Sequence, residues 1–203
     1  MLDAKIRPYI DPPLNAMGQA LAKSGLKAQQ VTLAGFIFGL GAFLALALES
    51  YAPALLFIAL SRLMDGLDGP VARASEEGPT DRGAFLDIVS DFIFYGGFAF
   101  FFAVGRPETA LAAAFLIFSF MGTASSFLTY SILATKQGRN HSRQGKKSFY
   151  YAAGLCEGSE TIIFFLLFCL LPNLFTPLAV LFGILCWITT AGRTAQAYKE
   201  FSS

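Results

Sequence analysis

The chain has 203 residues, 55% hydrophobic and 15% aromatic, with 22 Phe and only 14% charged, and its mean hydropathy is +0.55. That is the composition of an integral membrane protein rather than of a soluble core. A formal net charge of +1 gives no bulk attraction for nucleic acid.

In chain order, residues 1–30 lack the basic-then-apolar order of a secretory signal. Pro8, Pro12 and Pro13 are expected to break the start of this segment, and Leu14, Met17, Leu21 and Leu26 then mix with Lys23 and Lys27 as in an amphipathic helix lying on lipid headgroups. Six spanning helices are expected next, at 31–48, 52–74, 83–104, 109–135, 149–171 and 174–190, each near the roughly 20 residues a hydrocarbon core requires. Gly105-Arg106-Pro107 and Pro172-Asn173 punctuate two reversals. The expected fold class is therefore an all-α membrane protein, with an interfacial segment at 1–30, one membrane domain at 31–203 and no internal repeat.

The cations orient this topology. Arg106 falls on one side, whereas Lys5, Arg7, Lys23, Lys27, Arg82, Lys136, Arg139, Arg143, Lys146, Lys147 and Lys199 fall on the other. By the positive-inside rule both termini face the cytoplasm. Cys156, Cys169 and Cys186 lie in apolar runs without metal-ligand spacing and read as packed or lipid-facing thiols. His141 reads as solvated in a polar loop, and Phe149, Tyr150 and Tyr151 as an interfacial aromatic belt.

Against this apolar background one stretch stands out: Asp65-x2-Asp68-Gly69-x2-Ala72-Arg73, nine residues, then Gly83-x3-Asp87-x3-Asp91. A carboxylate next to hydrocarbon costs a few kcal/mol unless it is paired, coordinated or facing water. Asp65 and Asp68 share one helix face and Gly83, Asp87 and Asp91 another. Turned toward each other, the two faces form an oxygen-rich pocket suited to a hard divalent cation and a phosphate substrate. Gly69 and Gly83 leave backbone open to a bulky ligand, and Arg73 offers a fork for phosphate oxygens.

This run resembles the signature of the CDP-alcohol phosphatidyltransferase family at each defining position. The resemblance implies transfer of a phosphatidyl group from a CDP-linked lipid, CDP-diacylglycerol, to a small alcohol with release of CMP. It implies Mg²⁺ or Mn²⁺ held by Asp65, Asp68 and Asp87, with Asp91 as general base and further metal contact. By the same carry-over, Asp68, Gly69, Ala72, Arg73 and Gly83 shape the CDP-lipid site. Thr32 matches a family threonine only in part, since Ala28-Gln29-Gln30-Val31 precedes it instead of Pro-Asn-x-x. The resemblance also implies a homodimer, for which Gly96 and Gly97 offer a packing face, in a bacterial inner membrane with the active site on the cytoplasmic side.

The acceptor is sought outside the motif. Lys136 and Arg193, at helix ends, suit the phosphate of glycerol 3-phosphate, the leading candidate; serine, inositol, inositol phosphate and amino-alcohols are the alternatives. Glu157 and Glu160 lie deep in the fifth expected span, where Arg62 is the expected partner of one of them or else both serve the acceptor. A membrane prenyltransferase would carry two separated aspartate motifs, and here all four aspartates fall within one helix pair. A cation transporter would leave Gly69, Ala72 and Arg73 unexplained, and Arg73 would repel its cargo.

Overall fold

The computed structural model describes residues 3–137 and 158–201. Among them the chain is all helical: α1 (Asp3–Lys23), α2 (Ala28–Ala47), α3 (Tyr51–Ala74), α4 (Asp81–Gly105), α5 (Ala110–Lys136), α6 (Gly158–Leu170) and α7 (Phe175–Glu200), with 3-10 turns at Pro107–Thr109 and Pro172–Leu174. The basic loop residues Arg139, His141, Arg143, Lys146 and Lys147, the belt residues Phe149, Tyr150 and Tyr151, and Cys156 and Glu157 lie outside the described residues.

Among the described residues, four helical stretches are long and apolar enough to cross a membrane: α2, α4, Pro107–Lys136 and Pro172–Glu200. The fourfold result departs from the six expected spans for two physical reasons. α3 has the length, at 24 residues, but Arg62, Asp65, Asp68 and Arg73, from its middle to its last turn, lower its hydropathy. α6 has 13 described residues, too few to span alone.

Local chemistry explains most boundaries. At the start of α2 the Gln30 side chain reaches back over the first turn, its Oε1 accepting from the Lys27 backbone N–H at 2.9 Å. Gly78, at φ +69, supplies the left-handed backbone of the α3–α4 loop. Thr80 then caps α4, its Oγ1 accepting from the Gly83 N–H at 3.1 Å. α7 continues past the expected end at 190 to Glu200, where Tyr130 Oη donates to Glu200 Oε2 at 2.6 Å and ties the C-terminal turns of α5 and α7 together.

The N-terminal prolines do not break α1. Pro8, Pro12 and Pro13 lie inside it, all exposed, so the carbonyls they deprive of donors stay open to solvation. The opposite face holds the helix in place. Leu14 and Leu21 pack with Val31, Leu67 and Val71, and Gly18 sits so close to α3 that an added Cβ would collide with Pro70. Met17 and Leu26, expected on the same apolar face, are exposed.

The main core gathers on the far half of α4. Phe98 stacks on Phe165 with centroids 4.2 Å apart, Phe102 on Phe175 at 3.9 Å, and Phe164 on Phe182 at 4.3 Å. Cys169 and Cys186 are buried within it. At the end of α4, Arg106 donates to Glu108 at 2.8 Å and to Asn173 at 3.0 Å, joining the two reversals. Gly97 faces Phe43 of α2 within the chain, while no described residue comes within 4 Å of where a Cβ on Gly96 would lie.

Candidate active site

α3 and α4 run antiparallel through a short loop, so the C-terminal half of one lies beside the N-terminal half of the other. Helical spacing then turns their aspartates toward a common point. Oxygens of Asp65, Asp87 and Asp91 lie within 4.8 Å of one another, and all three residues are half-buried. Like charges so close are tolerated only with a counter-cation, protonation or a bound metal. Three carboxylates without His or Cys form the donor set that hard, oxygen-seeking Mg²⁺ or Mn²⁺ prefers.

One counter-cation is built in. Arg62, one turn before Asp65 on α3, donates from Nη1 to Asp91 Oδ1 at 2.6 Å and lies 3.5 Å from Asp65 Oδ2. Its guanidinium carbon sits 4.2 Å from the centroid of Phe94, and 9% of its side chain is exposed. The expected pairing of Arg62 with Glu160 is not formed among the described residues, and Glu157, the other expected partner, lies outside them. The i,i+3 spacing to Asp65 and the facing Asp91 offer nearer carboxylates. Glu160 is half-buried in the first turn of α6.

Asp68 stands apart from that trio. It is 8% exposed, and its Oδ2 accepts from Thr32 Oγ1 of α2 at 2.8 Å. Thr32 thus enters the site through Asp68. Gly69 and Arg73 share the next turn, with Arg73 Nη1 3.2 Å from where a Cβ on Gly69 would lie, so any larger residue would crowd the guanidinium. Arg73 is exposed and donates from Nη2 to Asn15 Oδ1 of α1 at 3.2 Å. Ala72 is half-buried, and Gly83 sits over its cap residue Thr80.

The acceptor candidates are more dispersed. Lys136 is exposed in the last turn of α5. Arg193, half-buried on α7, donates to the Thr123 carbonyl at 3.3 Å and lies over Phe127 at 5.5 Å. Sequence reasoning missed the contacts of Arg62 with Asp91, of Thr32 with Asp68 and of Asn15 with Arg73. None of the three carried a local signal; only the accompanying approach of Arg62 to Asp65 did, through their i,i+3 spacing.

Comparison with known proteins finds relatives that span the whole chain. The chain is 46% identical to the inner membrane protein YnjF of Escherichia coli, over all of this chain and 98% of that protein. It is 29% identical to an archaetidylinositol phosphate synthase of Pyrococcus horikoshii, over 97% of each. The fold matches the crystal structure of the Mycobacterium tuberculosis phosphatidylinositol phosphate synthase PgsA1 with CDP-DAG bound, with a TM-score of 0.71 and 18% identity over 91% of this chain and 93% of that one. The CDP-alcohol phosphatidyltransferase model matches residues 26–195, which include the whole aspartate run. The chain belongs to the CDP-alcohol phosphatidyltransferase family.

Proposed function

We propose that the chain transfers a phosphatidyl group from CDP-diacylglycerol to the hydroxyl of a small alcohol and releases CMP. The observation that carries this reading is the gathering of Asp65, Asp87 and Asp91 oxygens within 4.8 Å, on helices that also carry Gly69, Ala72, Arg73 and Gly83. In the transfer, the acceptor oxygen forms a bond to the β-phosphorus, the bond from that phosphorus to CMP breaks, and Asp91 takes the hydroxyl proton. Arg62 occupies Asp91 Oδ1, so the proton goes to the other oxygen. Asp65, Asp68, Asp87 and Asp91 would hold Mg²⁺ or Mn²⁺. A bound divalent cation polarises the pyrophosphate and stabilises the departing CMP. Arg73 binds phosphate oxygens while Gly69, Ala72 and Gly83 leave room for the nucleotide.

For the acceptor, Lys136 and Arg193 favour a phosphorylated alcohol, with Glu157 and Glu160 binding its free hydroxyls. The archaetidylinositol phosphate synthase relative supports an inositol phosphate as the first acceptor to test, and glycerol 3-phosphate as the second. The whole chain works as a six-span inner-membrane protein, the apolar runs at 52–74 and 149–171 of the sequence being counted as spans beside the four apolar stretches. Its site and termini face the cytoplasm, α1 lies at the lipid interface, and two copies form a dimer. The name of the E. coli relative supports the membrane, and the separation of Arg106 from the other cations supports the sidedness.

Purified protein with CDP-diacylglycerol, Mn²⁺ and each acceptor in turn tests the reading by CMP release and identification of the lipid product. Cation-dependent CMP release with one phosphorylated acceptor is the expected outcome. No release with any of the acceptors named would remove the proposal.

A further inference from the structure

Arg62 is a permanent positive charge at the centre of an acidic site. A guanidinium does not deprotonate in proteins, and this one cannot swing into water. It is wedged against the Phe94 ring with 9% of its side chain exposed. Its donors are unequally used. Nη1 reaches Asp91 at 2.6 Å and lies 3.5 Å from Asp65, and Nη2 reaches Ser61 Oγ at 3.4 Å. Nε is buried without an acceptor. Arg62 also borders a cavity of about 10 Å³ lined by Gly35, Ser61, Ser90 and Phe94, room for roughly one water. The side chain is therefore placed by its contact with the carboxylates, and its own hydrogen bonding is left incomplete.

We propose that Arg62 is the internal counter-cation of the aspartate site and makes divalent-cation binding depend on the bound pyrophosphate. The proposal rests on the reading that these aspartates hold a divalent cation. Without nucleotide, Arg62 offsets the mutual repulsion of Asp65, Asp87 and Asp91, so the fold is held together with no metal present. An arriving cation meets carboxylates that are already neutralised in part and a positive charge that cannot retreat, so it binds weakly. A pyrophosphate adds negative charge beside the pocket and restores the balance in favour of the cation. Cation and CDP-lipid then bind as a pair, and the empty enzyme is spared a tightly held metal.

Mn²⁺ titration followed by electron paramagnetic resonance, paired with thermal unfolding in EDTA and in Mn²⁺, tests this on wild type, Arg62→Gln and Arg62→Lys in detergent. Without CDP-diacylglycerol, Arg62→Gln should need about tenfold less Mn²⁺ for half-saturation than wild type, and Arg62→Lys should stay within about threefold of wild type because it keeps the charge. Arg62→Gln should melt lower than wild type in EDTA and recover in Mn²⁺, since the metal takes over the arginine's charge. CDP-diacylglycerol should tighten Mn²⁺ binding in both proteins, but only wild type should need it to be half-saturated at the Mn²⁺ level that already fills Arg62→Gln. An Arg62→Gln protein that needs as much Mn²⁺ as wild type, or that stays unfolded in saturating Mn²⁺, overturns the assignment to Arg62 alone. A wild-type protein that binds no Mn²⁺ with or without CDP-diacylglycerol overturns the metal reading as well.

Discussion

The two halves of α4 are built on opposite principles. Its N-terminal half presents Gly83, Asp87 and Asp91 to a half-open polar cleft, and little holds it except the cap and the ion pair with Arg62. Its C-terminal half buries Phe94, Phe98 and Phe102 in stacked rings shared with α6 and the start of α7. Hydrocarbon provides no hydrophobic drive between helices, so packing contacts of this kind carry helix association in a membrane. The aromatic half therefore clamps the helix, and the polar half can hold repelling charges at a fixed spacing. Phe94 is the join, with its ring under Arg62 on one side and against Phe165 on the other.

That division can be broken experimentally. Asp91→Asn should lower CMP release by about 10²–10⁴-fold, the usual worth of a general base, with CDP-lipid binding retained; substantial turnover would remove Asp91 as the base. Phe98→Ala should do the reverse, lowering stability in thermal unfolding while kcat per folded molecule stays constant. The loss should be roughly 2 kcal/mol, below the usual range for a buried Phe, because lipid replaces water as the alternative surrounding and mainly the cavity cost remains. A fall in kcat per folded molecule would show that the halves are not independent.

Three smaller effects sharpen the map of the polar half. Thr32→Val strips Asp68 of its hydroxyl donor and should raise the KM for CDP-lipid roughly tenfold, with Thr32→Ser close to wild type. Lys136→Ala and Arg193→Ala should each raise the acceptor KM about fivefold and spare the CDP-lipid KM; unchanged acceptor kinetics would end their assignment. Lys27→Ala breaks an ion pair with Glu77 at 3.2 Å whose side chains are 68% and 71% exposed, and thermal unfolding should change by no more than about 0.5 kcal/mol.

Much of the site was legible because helical periodicity is local. The spacing of Asp65, Asp87 and Asp91 needs no knowledge of distant chain to suggest a shared pocket. Thr32 meeting Asp68 across 36 residues, and Asn15 meeting Arg73 across 58, depend on how α1 and α2 pack, which no local pattern encodes. Arg62 was visible as a buried charge, yet its depth pointed to the glutamates of the fifth expected span instead of the carboxylates beside it. Among the helices, the apolar runs were read to within a few residues at most boundaries. The prolines of α1 misled because their usual breaking effect weakens on an exposed face, and α7 ran on because its polar last turns are tied to α5 through Glu200.

The crossing of Gly18 over Pro70 carries a mechanical consequence. Because α1 rests there without a spacer, Asn15 and Arg73 ride on the same contact, one turn from Gly69. Tilting α1 away from α3 would shift a wall of the proposed CDP-lipid site, so a force felt by the N-terminal helix is transmitted to the Arg73 guanidinium. Replacing Gly18 with a bulkier residue would act as a wedge at that fulcrum, opening the cleft from behind without touching any residue inside it.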